Sequence, residues 1–261
     1  RMVKCAGFVP GNSSTDGVFI NEEMVEEGDW TGPGAARTIL RRQDVEVAVL
    51  EAARGGILRR GLGVESCQTA LVTNVANDHL GDYGILTVPQ MAAAKGVVYD
   101  VVSPNGCCVF NADDENCRAL SNVKKGNKLF FSVHGLTPYL QAQHDLGSAL
   151  LYVDEGSIYW KVGEQTSTIA EVTDCPLSMQ GAALYNVSNM LGAIGLALSL
   201  ELPHSAILEG LKSFGTSWKD NPGRGQFTSL DGVQILLDFG HNPHGVSAVL
   251  QMAQNFLKQQ K

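Results

Sequence analysis

The sequence predicts an α/β protein: a mostly parallel, doubly wound sheet carrying a small antiparallel flap. Three observations predict it. Apolar, β-branched runs at 45–50 and 69–75 read as strands buried on both faces. Helical stretches alternate with strands up to about residue 133, the rhythm of a parallel sheet. Beyond about residue 140 the rhythm changes to short strands separated by turn residues.

Residues 1–9 read as the tail of a helix that Gly11 ends. Asp16-Gly17 and Gly28-Asp29 mark turns on either side of a short strand, Val-Phe-Ile. AARTILRR, after Gly32-Pro33-Gly34, is a short helix with basic residues at its C-terminal end, where they suit the dipole. The helix after the second apolar run has Thr87 as N-cap and Pro89 in its first turn, and is expected to span 88–102. Strands follow at 107–111 and 128–133, the first of them leading into a turn at Ala112-Asp113-Asp114. ALLYVD and SIYWKV flank Glu155-Gly156, a hairpin signal, and Tyr159 and Trp160 read as packing residues. GAALYNVSNMLGAIGLALSL is apolar all round, hence a buried helix, and HSAILEGLKSF is an amphipathic one. Asp231-Gly232 joins two last strands, and Pro243 opens a final helix.

The totals exclude several classes. A length of 261 residues holds one large domain, or one and a half. No apolar run reaches the roughly 20 residues that span a bilayer. A net charge of −8 argues against a nucleic-acid partner held through phosphates. The six cysteines form no CxxC pair and are expected as free thiols of a reducing, cytoplasmic compartment. Cys107 and Cys108, adjacent in a strand, should face opposite ways.

Chemistry gathers at the strand ends. In an open parallel sheet, ligands collect beyond the carboxyl ends of the strands. Glu51 follows the first apolar run, an Asn-Asp-His cluster that includes Asn74 and His79 follows the second, and Lys95 lies on the next helix. Glu and His suit a divalent cation serving phosphate chemistry. Arg54, Arg59 and Arg60 either grip an anionic substrate or stand solvated. The hydroxyls of Ser13, Ser14 and Thr15 either face a phosphate or belong to a solvated turn. Asn186 and Asn189, three apart on a buried helix, need partners. A phosphate loop of the form GxxxxGK[ST] is absent, and ARGGILRRGLG is no substitute, with no lysine after a glycine and no helix expected to start there.

LEAARGGILRRGLG at 50–63 and TNVANDHLG at 73–81, followed in the order of the chain by NADD, NPGRGQF and DFGHNP and preceded by TDGVFI and GDWTGPGAAR, resemble the Mur ligase-like half of cyanophycin synthetases. The resemblance implies a Mur ligase central domain, P-loop NTPase-like but without the loop, over 1–224, and the beginning of a C-terminal domain over 225–261. It places the phosphate loop upstream of Arg1 and further C-terminal strands after the last helix. It implies ATP and Mg2+ as cofactors, with Glu51 and His79 on metal. Lys95, carbamylated or bound to phosphate, and Arg224 would be catalytic. Asn186, Asn189, Arg224, Asp238 and His241 would hold the nucleotide, with Tyr185 where the family has histidine before the asparagine pair. Arg54, Arg59 and Arg60 would meet the substrate. The activity implied is addition of arginine to the side-chain carboxylates of poly-aspartate through an acyl phosphate, by a cytoplasmic homo-oligomer with no nucleic-acid or membrane partner. Two alternatives stand beside it: a non-catalytic remnant serving as a structural or binding module, and another ligase of the same superfamily.

Overall fold

The computed structural model describes residues 1–77 and 80–259. A short helix α1 (Met2–Cys5) ends at Gly7, whose φ of 87° only glycine adopts readily. Gly11, expected as the helix stop, lies instead in a strand, β1 (Pro10–Ser13). Then come β2 (Gly17–Ile20), β3 (Glu23–Glu27), α2 (Pro33–Leu40) and β4 (Val47–Leu50). These strands form a four-stranded sheet ordered β3-β2-β1-β4, with β1 and β4 parallel.

The arginine-rich stretch is a helix, α3 (Arg54–Arg60), contrary to the expectation that no helix starts there. Close approach explains Gly56 inside it: a Cβ there would come within 3.2 Å of the Thr31 carbonyl oxygen.

The main sheet follows: β5 (Cys67–Val72), α4 (Val88–Gly96), β6 (Val102–Asn111), α5 (Glu115–Val123), β7 (Asn127–Ser132), α6 (Pro138–Asp145), β8 (Ala149–Asp154), β9 (Ser157–Val162) and β10 (Gln165–Glu171). Its order is β10-β9-β8-β7-β6-β5, parallel from β5 to β8 and antiparallel from β8 to β10. The antiparallel strands are thus hydrogen-bonded onto the edge of the main sheet. α4 begins as expected, with Thr87 and Gln90 forming a reciprocal capping box, but stops at Gly96 and gives way to a turn of 3₁₀ helix. The remainder is α7 (Leu184–Ser199), α8 (His204–Ser213), the hairpin β11 (Gln226–Leu230) and β12 (Val233–Leu237), and α9 (Pro243–Gln259).

The two apolar runs do not lie side by side. β4 takes β1 as its parallel partner and β5 takes β6, so the strands bearing Glu51 and Asn74 belong to different sheets. α3 packs on both α2 and α4 and bridges them.

Alternation along the strands builds two cores, one on each face of the main sheet. Val109, Leu129, Phe131 and Leu151 face α7 and α8. Cys108, Phe110, Phe130 and Leu150 face α4, α5 and α6. Cys107 and Cys108 therefore face opposite layers, as the period of two requires. All six cysteines are free. Burying a side chain such as Phe130 or Leu150 contributes roughly 1.5–3 kcal/mol. Tyr159 stacks on Tyr152 and Trp160 packs on the α7 layer, so both are packing residues. Among the described residues, no helix is long and apolar enough to cross a membrane.

Candidate functional site

The residues singled out in the sequence fall into three groups, with the α3 arginines between the first two. The first lies where β1 and β4 end. Glu51 is exposed, and its two carboxylate oxygens accept from the Thr15 amide and the Thr15 hydroxyl, each at 3.2 Å. The Glu51 amide donates to the Ser13 carbonyl oxygen at 3.2 Å. The Ser13 hydroxyl is buried and, among the described residues, has no hydrogen-bond partner. A buried, unsatisfied hydroxyl calls for a polar partner such as a cation or a phosphate oxygen. Among the described residues, no group of three or more His, Cys, Asp or Glu could hold a metal ion. His79, expected as a metal ligand, lies outside the described residues, as does Asp78.

The second group lies beyond β5. Lys95 donates to the Asn74 carbonyl oxygen at 3.2 Å. The loop that carries Asn74 is fastened by residues to which the sequence reading gave no role. Asn111 donates to the Thr73 carbonyl at 2.8 Å, and Asn116 donates to that of Val75 at 3.2 Å. Asp114 accepts the Val75 amide with one oxygen and, with the other, caps α5 through the Asn116 and Cys117 amides. The signal was present: Asp followed by Glu just before a helical stretch is an N-cap pattern.

Between these groups stand the arginines of α3. Arg54 pairs with Asp82 at 3.1 Å, and both Arg54 and Arg59 lie under 6 Å from the centre of the Tyr83 ring. Arg60 is exposed.

The third group surrounds a cavity of about 220 Å³ between α7 and the chain entering β11, lined by Asn186, Leu177, Trp218, Asn221, Arg224 and Gln226. Asn186 is buried and donates to the Leu177 carbonyl at 3.0 Å, which fixes its carboxamide. Asn189 is exposed; it lines, with Asn186, a second cavity of about 410 Å³ on the α8 side. Gln226 ties the loop together, donating to the Trp218 and Asn221 carbonyls and accepting from the Gly223 amide. Arg224 lies over the Phe239 ring at 5.0 Å. Asp238 accepts the Gly225 amide at 2.8 Å and the Gly240 amide at 2.6 Å, and His241 sits edge-on to Phe239. Tyr185 is pressed beneath Gly225 with its hydroxyl 3.5 Å from the Met252 sulfur. Burial, and then the Asp238 charge, push this phenol up to about 12, against the opposing effects of Asn186 and Arg224. Arg224, Asp238 and Asn186 are therefore neighbours around one ring. A mixed polar and apolar cavity with a fixed carboxamide and an arginine at its rim suits a heteroaromatic base with an attached anion.

The family description "Mur ligase middle domain" matches residues 15–197, and the chain belongs to the Mur ligase family. It is similar to the cyanophycin synthetase of Synechocystis sp., 39% identical over 250 residues that cover 96% of this chain and 29% of that protein. The chain thus spans a little over a quarter of the length of such relatives. Among solved structures it resembles a UDP-N-acetylmuramoyl-L-alanyl-D-glutamate–2,6-diaminopimelate ligase, with TM-score 0.67 and 17% identity, covering 97% of this chain and 50% of that one. It also resembles a MurF ligase from Thermotoga maritima in complex with ADP, with TM-score 0.61 and 17% identity, covering 97% and 53%.

Proposed function

We propose that this chain is the nucleotide-handling part of an ATP-dependent carbon–nitrogen ligase of the cyanophycin synthetase type, which adds arginine to the side-chain carboxylates of poly-aspartate. The observation that supports the reading is the cavity lined by Asn186 and Arg224, whose lining residue Gly225 donates its amide to Asp238. Similarity to cyanophycin synthetases supports the substrate class, and likeness to a MurF structure holding ADP supports the nucleotide.

In this reading Asn186 and Asn189 hold the nucleoside, Asp238 and His241 approach it from residues 225–261, and Arg224 meets phosphate. Glu51 and His79 would hold Mg2+, which when bound offsets phosphoryl charge. Lys95, bonded to the Asn74 carbonyl, would present a cation or, if carbamylated, an anion to the phosphates or their metal. Arg54, Arg59 and Arg60 receive the carboxylate that becomes the acyl phosphate, and the amine of arginine displaces phosphate from it. Homo-oligomerisation and a cytoplasmic location belong to the same proposal.

The sequence holds no GxxxxGK[ST] loop, so residues 1–261 alone should bind ATP weakly and should not turn it over. A second reading is a non-catalytic module. Titration with a fluorescent ATP analogue and magnesium tests the first. Binding that Asn186→Ala and Arg224→Ala each weaken supports it; no binding, or binding indifferent to both, leaves the second. ATP-dependent ligation by residues 1–261 alone would overturn the expected inactivity.

A further inference from the structure

Two stretches of chain that line the cavity beside Asn186 are both held tightly. One is the turn before α7. Met179 and Gln180 there have left-handed backbones, φ 54° and 57°, and Gly181 follows at 83°. Residues with a Cβ keep that conformation only where their surroundings enforce it. Ser178 enforces it here: its buried hydroxyl donates to the Val172 carbonyl at 2.7 Å and accepts the Gly181 amide at 3.1 Å. Leu177 and Met179 of this turn line the cavity. The other stretch is the loop 215–226. Asp220, its side chain only 10% exposed, accepts the Gly215 and Ser217 amides at 3.1 and 3.0 Å and an N–H of the Arg1 guanidinium at 2.7 Å. The Gln226 carboxamide donates to the Trp218 carbonyl at 3.0 Å.

Trp218 sits in this fixed loop, lines the cavity and is 52% exposed. The other aromatic residue of the lining, Phe227, is already stacked on Phe256, with ring centres 4.5 Å apart. The indole therefore offers a flat apolar surface, half open to solvent, in the same cavity as a fixed carboxamide and an arginine. Nucleobases stack on such surfaces, and an indole is the largest that a side chain provides. We propose that Trp218 is a nucleotide-binding residue, the platform on which the base lies, with Leu177 and Met179 completing the apolar lining. This rests on the reading of the cavity as the nucleoside site. It adds a stacking contact to the polar contacts of Asn186 and Arg224, from a residue that no sequence motif singled out.

The test is titration of residues 1–261 with magnesium-ADP, followed by tryptophan emission and by calorimetry. The tryptophans are Trp30, Trp160 and Trp218. A base stacked on an indole quenches it, so ADP should dim the emission of the unaltered chain. Trp218→Phe keeps a ring face: ADP should bind within about threefold of the original while the quench disappears. Trp218→Ala should weaken ADP binding about five- to thirtyfold. Should Trp218→Ala fail to fold, the quench and its loss in Trp218→Phe decide the matter. A quench that survives in Trp218→Phe, or an ADP affinity unchanged in Trp218→Ala, overturns the role of Trp218. If Asn186→Ala still weakens binding in that case, the nucleotide reading stands without it. An equal loss of affinity in Trp218→Phe and Trp218→Ala would mean that no ring face is used, and also overturns the proposal. No ADP binding by the unaltered chain overturns the nucleotide reading and this proposal together.

Discussion

One carboxylate oxygen of Asp114 accepts the Val75 amide at 2.8 Å. The other caps α5, so a single side chain couples the start of a helix to the loop that Lys95 also holds. Asp114→Ala removes the cap and strands the Val75 amide. The expected loss is about 2–3 kcal/mol, read as a lower urea midpoint. Asp114→Asn keeps one acceptor oxygen and should cost less than half of that.

Gly225 takes φ 61°, and a Cβ there would stand 2.7 Å from the Tyr185 hydroxyl. Gly225→Ala should destabilise by roughly 1–2 kcal/mol from backbone strain alone, and by more from the clash. Tyr185→Phe in the same chain relieves the second part and leaves the first. A double-mutant cycle on thermal unfolding should therefore show the two substitutions coupled. Additive losses would mean the ring and the linker do not meet.

The phenol of Tyr185, raised to about 12, carries a definite pH signature. An unfolded tyrosine ionises near 10. Its contribution is fully present below about pH 10 and is lost as pH rises through about 12. Tyr185→Phe should flatten the fall in stability over that window, and absorbance near 295 nm should lose one late-titrating phenol. A variant that titrates as the original does would contradict the burial described.

Thiol chemistry offers another check. Cys117 and Cys175 are buried, and burial pushes both thiols up, Cys175 to about 11. Thiolate is the reacting form, so neither should react with a disulfide reagent at pH 8 until the chain unfolds. Prompt reaction of either in the folded protein would sink the packing around it.

The main sheet was legible because its strands are apolar runs bounded by turn residues, as at 149–154 and 157–162, where Glu155-Gly156 sits in the hairpin as read. β3 was not legible. Its residues Glu23–Glu27 are exposed along their whole length, so no apolar alternation marks it. α3 was hidden by its two glycines, which lower helix propensity; Gly56 packs closely against the Thr31–Gly32 backbone. In the site, residues with conspicuous side-chain chemistry were found and those with quiet roles were not. Lys95 and Asn186 drew notice, whereas Gln226 and Asn111 act through backbone carbonyls that no sequence pattern reveals. The separation of β4 from β5 was equally hidden, since strand partnership is decided by tertiary contacts.

Cys107 and Cys108 are one peptide bond apart, yet they belong to the packing on opposite sides of the main sheet. Pulse-labelling during unfolding, followed by mass analysis of a single proteolytic fragment, would record when each side admits solvent. If the helices on one side detach first, the neighbouring sulfurs acquire label at different times. If the whole assembly gives way cooperatively, they acquire it together.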